Sequence, residues 1–428
     1  MGLLSNRLTG IKTGTRADDL ARHSLLMVIF GAVGSFFSYL YQLSMGMLLT
    51  PAQYGTLLSF TSLFTIIAIL SQSVQISVAR FTSRFKAENK LGGVNYLWKS
   101  SLKKTLLFGL LLFTALILFA PLLSRFLHTN NNWYAIILFA SLLLAFALPA
   151  NWGLLQGLQR FFPLGLSQAL WSFLRVFIGT LLVYFGLGIY GGLLSFPLAY
   201  LIVFLLTLFF LRDLTKLGNE KLQFSQFSSY TGSAFLAILS FAVLTNIDIA
   251  LAKHYLAPEH AGNYGVISVL GKIALYAPVG VATALFPKSA EFFDTGMSQG
   301  ILLRKAIWYT FLITGVISLI YWLFPELVVG ILFGGKYPLA APYLVKYGLA
   351  MGLFAFAYLL MNHLLSLNRT RVAYSLLVAM LLQLGLITFF HADITVIINV
   401  MLISSLMCLA LMLPLYFTMR QRKGEPIG

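Results

Sequence analysis

Apolar runs long enough to cross a bilayer recur along this chain. A helix needs roughly 20 apolar residues to span about 30 Å of hydrocarbon. Such runs lie near 25–48, 57–79, 105–123, 134–157, 164–186 and 190–211, then near 232–253, 262–286, 306–324, 340–366, 372–390 and 394–417. The longest polar connector near the middle, 212–228, divides them into two sets of six. The pattern predicts an all-α polytopic membrane protein with about 12 transmembrane helices in two six-helix bundles. The expected organisation is an arm at 1–24, bundles at 25–211 and 232–417, a linker at 212–231 and a tail at 418–428.

The two halves carry a faint repeat. A shift of 207 positions lays Leu49, Pro51 and Gly55 on Leu256, Pro258 and Gly262, and Leu63, Ile66, Val74 and Phe85 on Leu270, Ile273, Val281 and Phe292. Leucine matches mean little in an apolar chain, but proline and glycine are set by backbone geometry. An even number of spans per half makes the repeat parallel, a pseudo-twofold of the kind transporters use to build a site between repeats.

Composition narrows the class. The chain is 59% hydrophobic and 10% charged, where a soluble domain has about 25% charged residues. The net charge of +17 sits in short loops beside apolar spans, which is a topology signal and excludes nucleic acid as the expected partner. With both ends cytoplasmic, 23 of the 29 Lys and Arg fall on the inside, and the outside loops hold only Arg125, Lys253 and Lys336. That asymmetry sets the expected orientation.

Polar residues inside the spans carry the candidate chemistry. A charge within the bilayer costs a few kcal/mol or more, so such groups face water or each other. Asp248 is the only acid placed in a span; Lys272 sits mid-span on the next helix, with Asn246 beside the acid. Counted from their turn, Asp248 and Lys272 differ in depth by roughly 9 Å, which a lysine side chain can partly close. A structural ion pair and a polar pathway both fit. Arg175 lies near the midplane of its span and cannot deprotonate, which suits an anion-binding cavity or a structural role on backbone carbonyls. Gln72 and Gln75 are further cavity candidates, equally readable as helix–helix glue, and Asn151, Gln168, Lys346 and Asn362 are cavity candidates as well. His363, near the inner end of its span, reads as a group that titrates near neutral pH or as a plain interfacial residue. In the inside loop 80–104, Val94, Leu97, Trp98 and Leu102 form a stripe that predicts a short helix in the headgroup layer, or lysines that merely enforce topology.

No phosphate-cradling Gly-rich loop, metal-spaced His/Cys cluster or nucleophile elbow is present, so neither an enzyme nor a cofactor is expected. Several segments resemble the polysaccharide-export branch of the multidrug/oligosaccharidyl-lipid/polysaccharide exporter superfamily. These are Leu48 through Gly55 (Leu-Leu-Thr-Pro-Ala-Gln-Tyr-Gly), Ala261 through Tyr264, Leu270-Gly271-Lys272, Phe286-Pro287 and Leu155 through Arg160. The resemblance implies a V-shaped pair of bundles in a bacterial inner membrane. It would flip a lipid-linked oligosaccharide of undecaprenyl-pyrophosphate type to the outer leaflet by alternating access, with polysaccharide polymerase and assembly proteins as partners. It also implies a cationic cavity, for which Arg175, Lys272 and Lys346 are available. An ion-coupled drug or cation antiporter of the same superfamily is the alternative, weakened by the lack of a carboxylate in the first span; a membrane glycosyltransferase or polymerase would need large acidic outer loops.

The orientation is testable by cysteine labelling of intact cells. Positions near Pro51, Asn131 and Glu259 are expected to react from outside and Lys90 is not; labelling at Lys90 would contradict it.

Overall fold

The computed structural model describes residues 16–216, 218, 220, 229–281, 300–367 and 369–422. Every regular element among them is helical. Eleven stretches are long and apolar enough to cross a membrane, and one of these, Phe161–Lys216, has 56 residues and turns back on itself. The reversal uses Gly186 and Gly188, whose φ values of 89° and 53° suit glycine far better than residues with a Cβ. Twelve crossings result among the described residues.

The first bundle holds α1 (Arg16–Leu48), α2 (Pro51–Ala87), α3 (Leu91–Phe126), α4 (Trp133–Gly157), α5 (Phe161–Leu182) and α6 (Gly188–Leu211). The second holds α7 (Ser229–Tyr255), α8 (Pro258–Tyr276), α9 (Gly300–Leu323), α10 (Leu344–Ser366), α11 (Val372–Phe389) and α12 (Ile394–Arg422). A short helix, Pro325–Phe333, precedes α10. Helix pairs match across the halves. The pairs α1–α5, α2–α4, α3–α4, α4–α6 and α5–α6 pack in the first, and α7–α11, α8–α10, α9–α10, α10–α12 and α11–α12 in the second. The parallel repeat is therefore present in the packing. Phe286, Pro287 and Phe292, which carry part of the repeat and the resemblance, lie outside the described residues.

With twelve crossings, both ends of the chain share one face, here the terminal face. The opposite, far face is the one the charge asymmetry assigns to the outside. At the far face α2 begins abruptly because Thr50 caps it. The Thr50 hydroxyl accepts from Gln53 N at 3.3 Å, the Gln53 amide oxygen accepts from Thr50 N at 3.1 Å, and Pro51 supplies the first turn. Pro258 likewise supplies the first turn of α8, after Ala257 and without a side-chain cap.

These two matching turns meet. Helix α2 packs against α7 and α8, and a Cβ on Gly262 would stand 2.1 Å from the Pro51 carbonyl oxygen. A Cβ on Gly55 would stand 2.8 Å from Gly262 N. The proline and glycine that align in the repeat thus face each other across the bundles. Nearby, Tyr337 donates to Gly46 O at 2.8 Å, Lys336 donates to Met47 O, and Tyr54 packs against Phe333 and Tyr337.

The buried apolar groups follow the same division. One cluster runs through both bundles, joining Tyr41, Tyr54 and Phe64 to Leu244, Tyr264 and Tyr347. Toward the terminal face the first bundle has its own cluster around Val78, Val94, Trp98, Leu155 and Leu214, and the second has a small one around Leu303, Ala306 and Leu359. The bundles are joined at the far face and, among the described residues, have separate cores at the terminal face.

One expectation is corrected here. Residues 94–102 do not form a separate helix in the headgroup layer; they are the first turns of α3, and Val94, Leu97 and Trp98 are buried. The reason is a partner the sequence did not specify. The Trp98 indole donates to Asn151 Oδ1 at 2.9 Å, so the ring points into the bundle.

The glycine seam can be broken. Gly262→Val is expected to destabilise the closed far face by about 1–3 kcal/mol or more, since its side chain must displace backbone. In a Cys408→Ser background, a Leu58→Cys probe beside the seam should then label several-fold faster, and an unchanged rate would contradict the seam.

Candidate functional site

Two buried charged centres stand out, one in each bundle. In the first, α5 carries Arg175 to the junction of α1, α5 and α6, where it is only 8% exposed. Small residues bring these helices together: Ser38 bonds to Ser172 at 3.1 Å, and a Cβ on Gly179 would touch the Tyr41 ring at 3.0 Å. The guanidinium carbon lies 4.7 Å from the Tyr41 ring, 4.7 Å from Trp171 and 5.1 Å from Phe196. Tyr41 is itself fixed, donating to Gly192 O at 2.9 Å. Each such ring contact contributes about 0.5–2 kcal/mol to a desolvated cation. The rings hold the charge without neutralising it. Arg175 Nε has no hydrogen-bond partner, and no carboxylate reaches ion-pair distance among the described residues.

In the second bundle, Asp248 on α7 is fully buried. Its Oδ2 accepts from Tyr264 on α8 at 2.8 Å and from Tyr347 on α10 at 2.6 Å, while Oδ1 has no partner. The Tyr347 hydroxyl also lies 2.9 Å from Ser268 Oγ. Lys272 is buried too, but its ammonium donates to Asn246 Oδ1 at 3.1 Å. No Asp248–Lys272 ion pair forms among the described residues. Position along the hairpin explains the difference. Asp248 and Tyr264 lie at similar distances from the α7–α8 turn, whereas Lys272 is deeper and meets the deeper Asn246.

The other candidates spread widely. Asn151 is fully buried inside the first bundle, accepting from Trp98 and donating to Thr207 Oγ1 at 2.8 Å, so its amide is spent on packing. Gln75 bonds the Gln156 side chain at 3.1 Å, linking α2 to α4, while Gln72 is exposed. Gln168 and Lys346 are half-buried. Asn362 donates to Tyr358 O one turn back at 2.8 Å, and its neighbour His363 is buried rather than interfacial. The structure thus unites Asn246 and Lys272 near Asp248 and, among the described residues, gives Arg175 its rings and no ion pair.

The residues that sequence reasoning missed are those rings and hydroxyls: Tyr41, Trp171, Phe196, Tyr264, Tyr347 and Ser268. Their types offered no signal in a chain with 20 Tyr and 37 Phe. Only Tyr264 lies in a segment that carries the family resemblance.

No protein-family model matches the chain, and no curated protein matches it in sequence. Solved structures do match in three dimensions. An inward-facing multidrug resistance MATE family transporter of the MOP superfamily is similar with a TM-score of 0.76 at 14% identity, covering 93% of this chain and 98% of that one. This chain has the MATE-type fold. The outward-facing conformation of a multidrug resistance MATE family transporter gives 0.66 at 15% identity, covering 94% and 96%. A MOP superfamily transporter from Pyrococcus furiosus, described as having a binding pocket of reverse polarity, gives 0.63 at 16% identity, covering 94% and 95%.

The Asp248 cluster can be dissected by a double-mutant cycle on stability. Asp248→Asn and Tyr347→Phe are expected to couple by more than about 1 kcal/mol, because each removes the other's partner. Asp248→Asn and Lys272→Met should couple by less than about 0.5 kcal/mol. The reverse order would place the ion pair back at the centre.

Proposed function

We propose that this multi-pass membrane protein is an ion-coupled secondary transporter that works by alternating access. The MATE-type fold, the far-face seam and the separate terminal-face cores support that cycle. The solved neighbours, described as multidrug transporters, favour the antiporter over a lipid-linked glycan flippase. Asp248 is its candidate coupling group, a buried carboxylate with one oxygen uncommitted. A carboxylate that exchanges a proton or cation must shed or rearrange the hydrogen bonds that hold it, so the two tyrosines would set its affinity.

The observation that carries the substrate reading is Arg175. A permanent cation, unpaired and ringed by Tyr41, Trp171 and Phe196, repels a cationic drug and suits an anionic group attached to a flat or sugar-like body. The substrate is therefore an anionic or zwitterionic amphiphile. The same arrangement favours a second reading. A lipid-linked oligosaccharide of undecaprenyl-pyrophosphate type presents a pyrophosphate for the guanidinium and sugar faces for the rings, and its lipid tail can stay in the bilayer at the gap between bundles.

Proteoliposome transport separates the two and tests both. Arg175→Lys is expected to insert normally yet lower transport about tenfold, because an ammonium cannot reproduce the bidentate contact and each charge-assisted hydrogen bond contributes about 1.5–3 kcal/mol. Arg175→Ala should lower it further. Loss confined to anionic drugs supports the antiporter, and loss confined to a lipid pyrophosphate supports the flippase. Wild-type rates with Arg175→Ala for every anion would overturn the anionic site.

A further inference from the structure

At the far face a second contact joins the bundles, made of rings. Helix α3 of the first bundle ends at Phe126, and His128 follows two residues on; α7 of the second ends with His254 and Tyr255. The His254 imidazole stacks on Phe126 with centroids 4.1 Å apart and on His128 at 5.0 Å, the planes within 8° and 5° of parallel. Tyr255 in turn stacks on His391 of the α11–α12 turn at 3.7 Å. His254 Nδ1 lies 2.5 Å from Phe126 O. A carbonyl only accepts, so Nδ1 holds the proton and Nε2 is the atom that can take another.

His128 is held in this place by the helix end. It adopts a left-handed φ of 50°, uncommon for a residue with a Cβ, and Thr129 N bonds back to Ser124 O at 2.8 Å. The stack does not have the convergent nitrogens of a metal site, and no group of three His, Cys, Asp or Glu among the described residues is placed to hold one.

We propose that the His128–His254 stack is a pH-sensitive latch: protonation of both imidazoles from the far side releases the two bundles and opens the far face. Imidazole is the side chain whose charge changes between about pH 5 and 8. Two neutral rings stack favourably, whereas two imidazolium ions 5.0 Å apart repel. The sign follows: the latch stabilises the closed face at alkaline pH and loses that contribution as pH falls. In a water-like dielectric the repulsion lowers the closed-to-open ratio about fourfold, and more where the rings exclude water. The surrounding titratable and charged groups reinforce or oppose this. Arg125 is on the first bundle's side; Lys253, buried, and Tyr255 are on α7; Glu259 and His260 stand on the first turn of α8; His391 and Asp393 lie in the α11–α12 turn. None of the acids forms an ion pair with either imidazole among the described residues.

The test is pulsed electron-spin distance measurement on the full chain in nanodiscs. Nitroxides are placed at Asn130→Cys and Glu259→Cys in a Cys408→Ser background. Between pH 8 and pH 5.5 the long-distance population is expected to rise at least about fourfold relative to the short one. His128→Phe keeps the ring and an exposed position but cannot charge, so its populations should stay flat over the same range. Gly262→Val serves as the separated reference at every pH. If Gly262→Val separates while the wild type ignores pH, or if His128→Phe keeps the full response, the latch is overturned and the seam stands. If Gly262→Val does not separate either, latch and seam fall together.

Discussion

Two backbones approach at the far face as closely as helices can, and the rest of the architecture hangs on that approach. Gly262 lies against the Pro51 carbonyl and Gly55 against Gly262 N, leaving no room for a Cβ on either side. Apolar burial alone drives little association in lipid, because the hydrocarbon tails are as apolar as the side chains. Close packing of small residues has to supply it. That is why the joint forms where the repeat places its paired Pro and Gly, and why it is narrow. A broad joint would weld the bundles; this one leaves their terminal-face cores separate.

Within that frame, the protein spends polarity unevenly. Some buried polar groups hold helices together, as Asn151 does between Trp98 and Thr207, or the Gln383 amide nitrogen with its bond to Leu244 O. Arg160 ties the α4–α5 turn to Asp213 and to Phe210 O at the terminal face of the first bundle. Arg175 and Asp248 differ. Among the described residues Arg175 has rings but no counter-ion, and Asp248 has two donors on one oxygen and none on the other. In a low-dielectric interior such incompletely satisfied charges persist when something else repays their cost, which makes them the natural places for a visiting ion or substrate.

The far-face contacts also divide by chemistry. The glycine seam and the Tyr337–Gly46 bond do not titrate near neutrality, so they set a constant closing force. The imidazole stack is the variable part. Alternating access needs two states separated by only a few kcal/mol, and a fixed seam trimmed by a titratable contact is one way to hold that balance.

From sequence alone, the number of crossings, their division into two sets of six and the parallel repeat were legible, because each is written in local periodicity and charge and needs no knowledge of neighbours. Arg175 and Asp248 stood out as well, since a charge in an apolar run is conspicuous wherever it packs. What they touch was decided only by tertiary structure. Asp248 took two tyrosines rather than Lys272 because depth along two facing helices, not sequence spacing, selects partners. Trp98 turned inward rather than toward lipid because Asn151, 53 residues away, offered its indole an acceptor. The cage around Arg175 draws on three helices, and the imidazole stack on both bundles. No stretch of chain encodes either by itself, because the contacts exist only once separate helices are brought side by side.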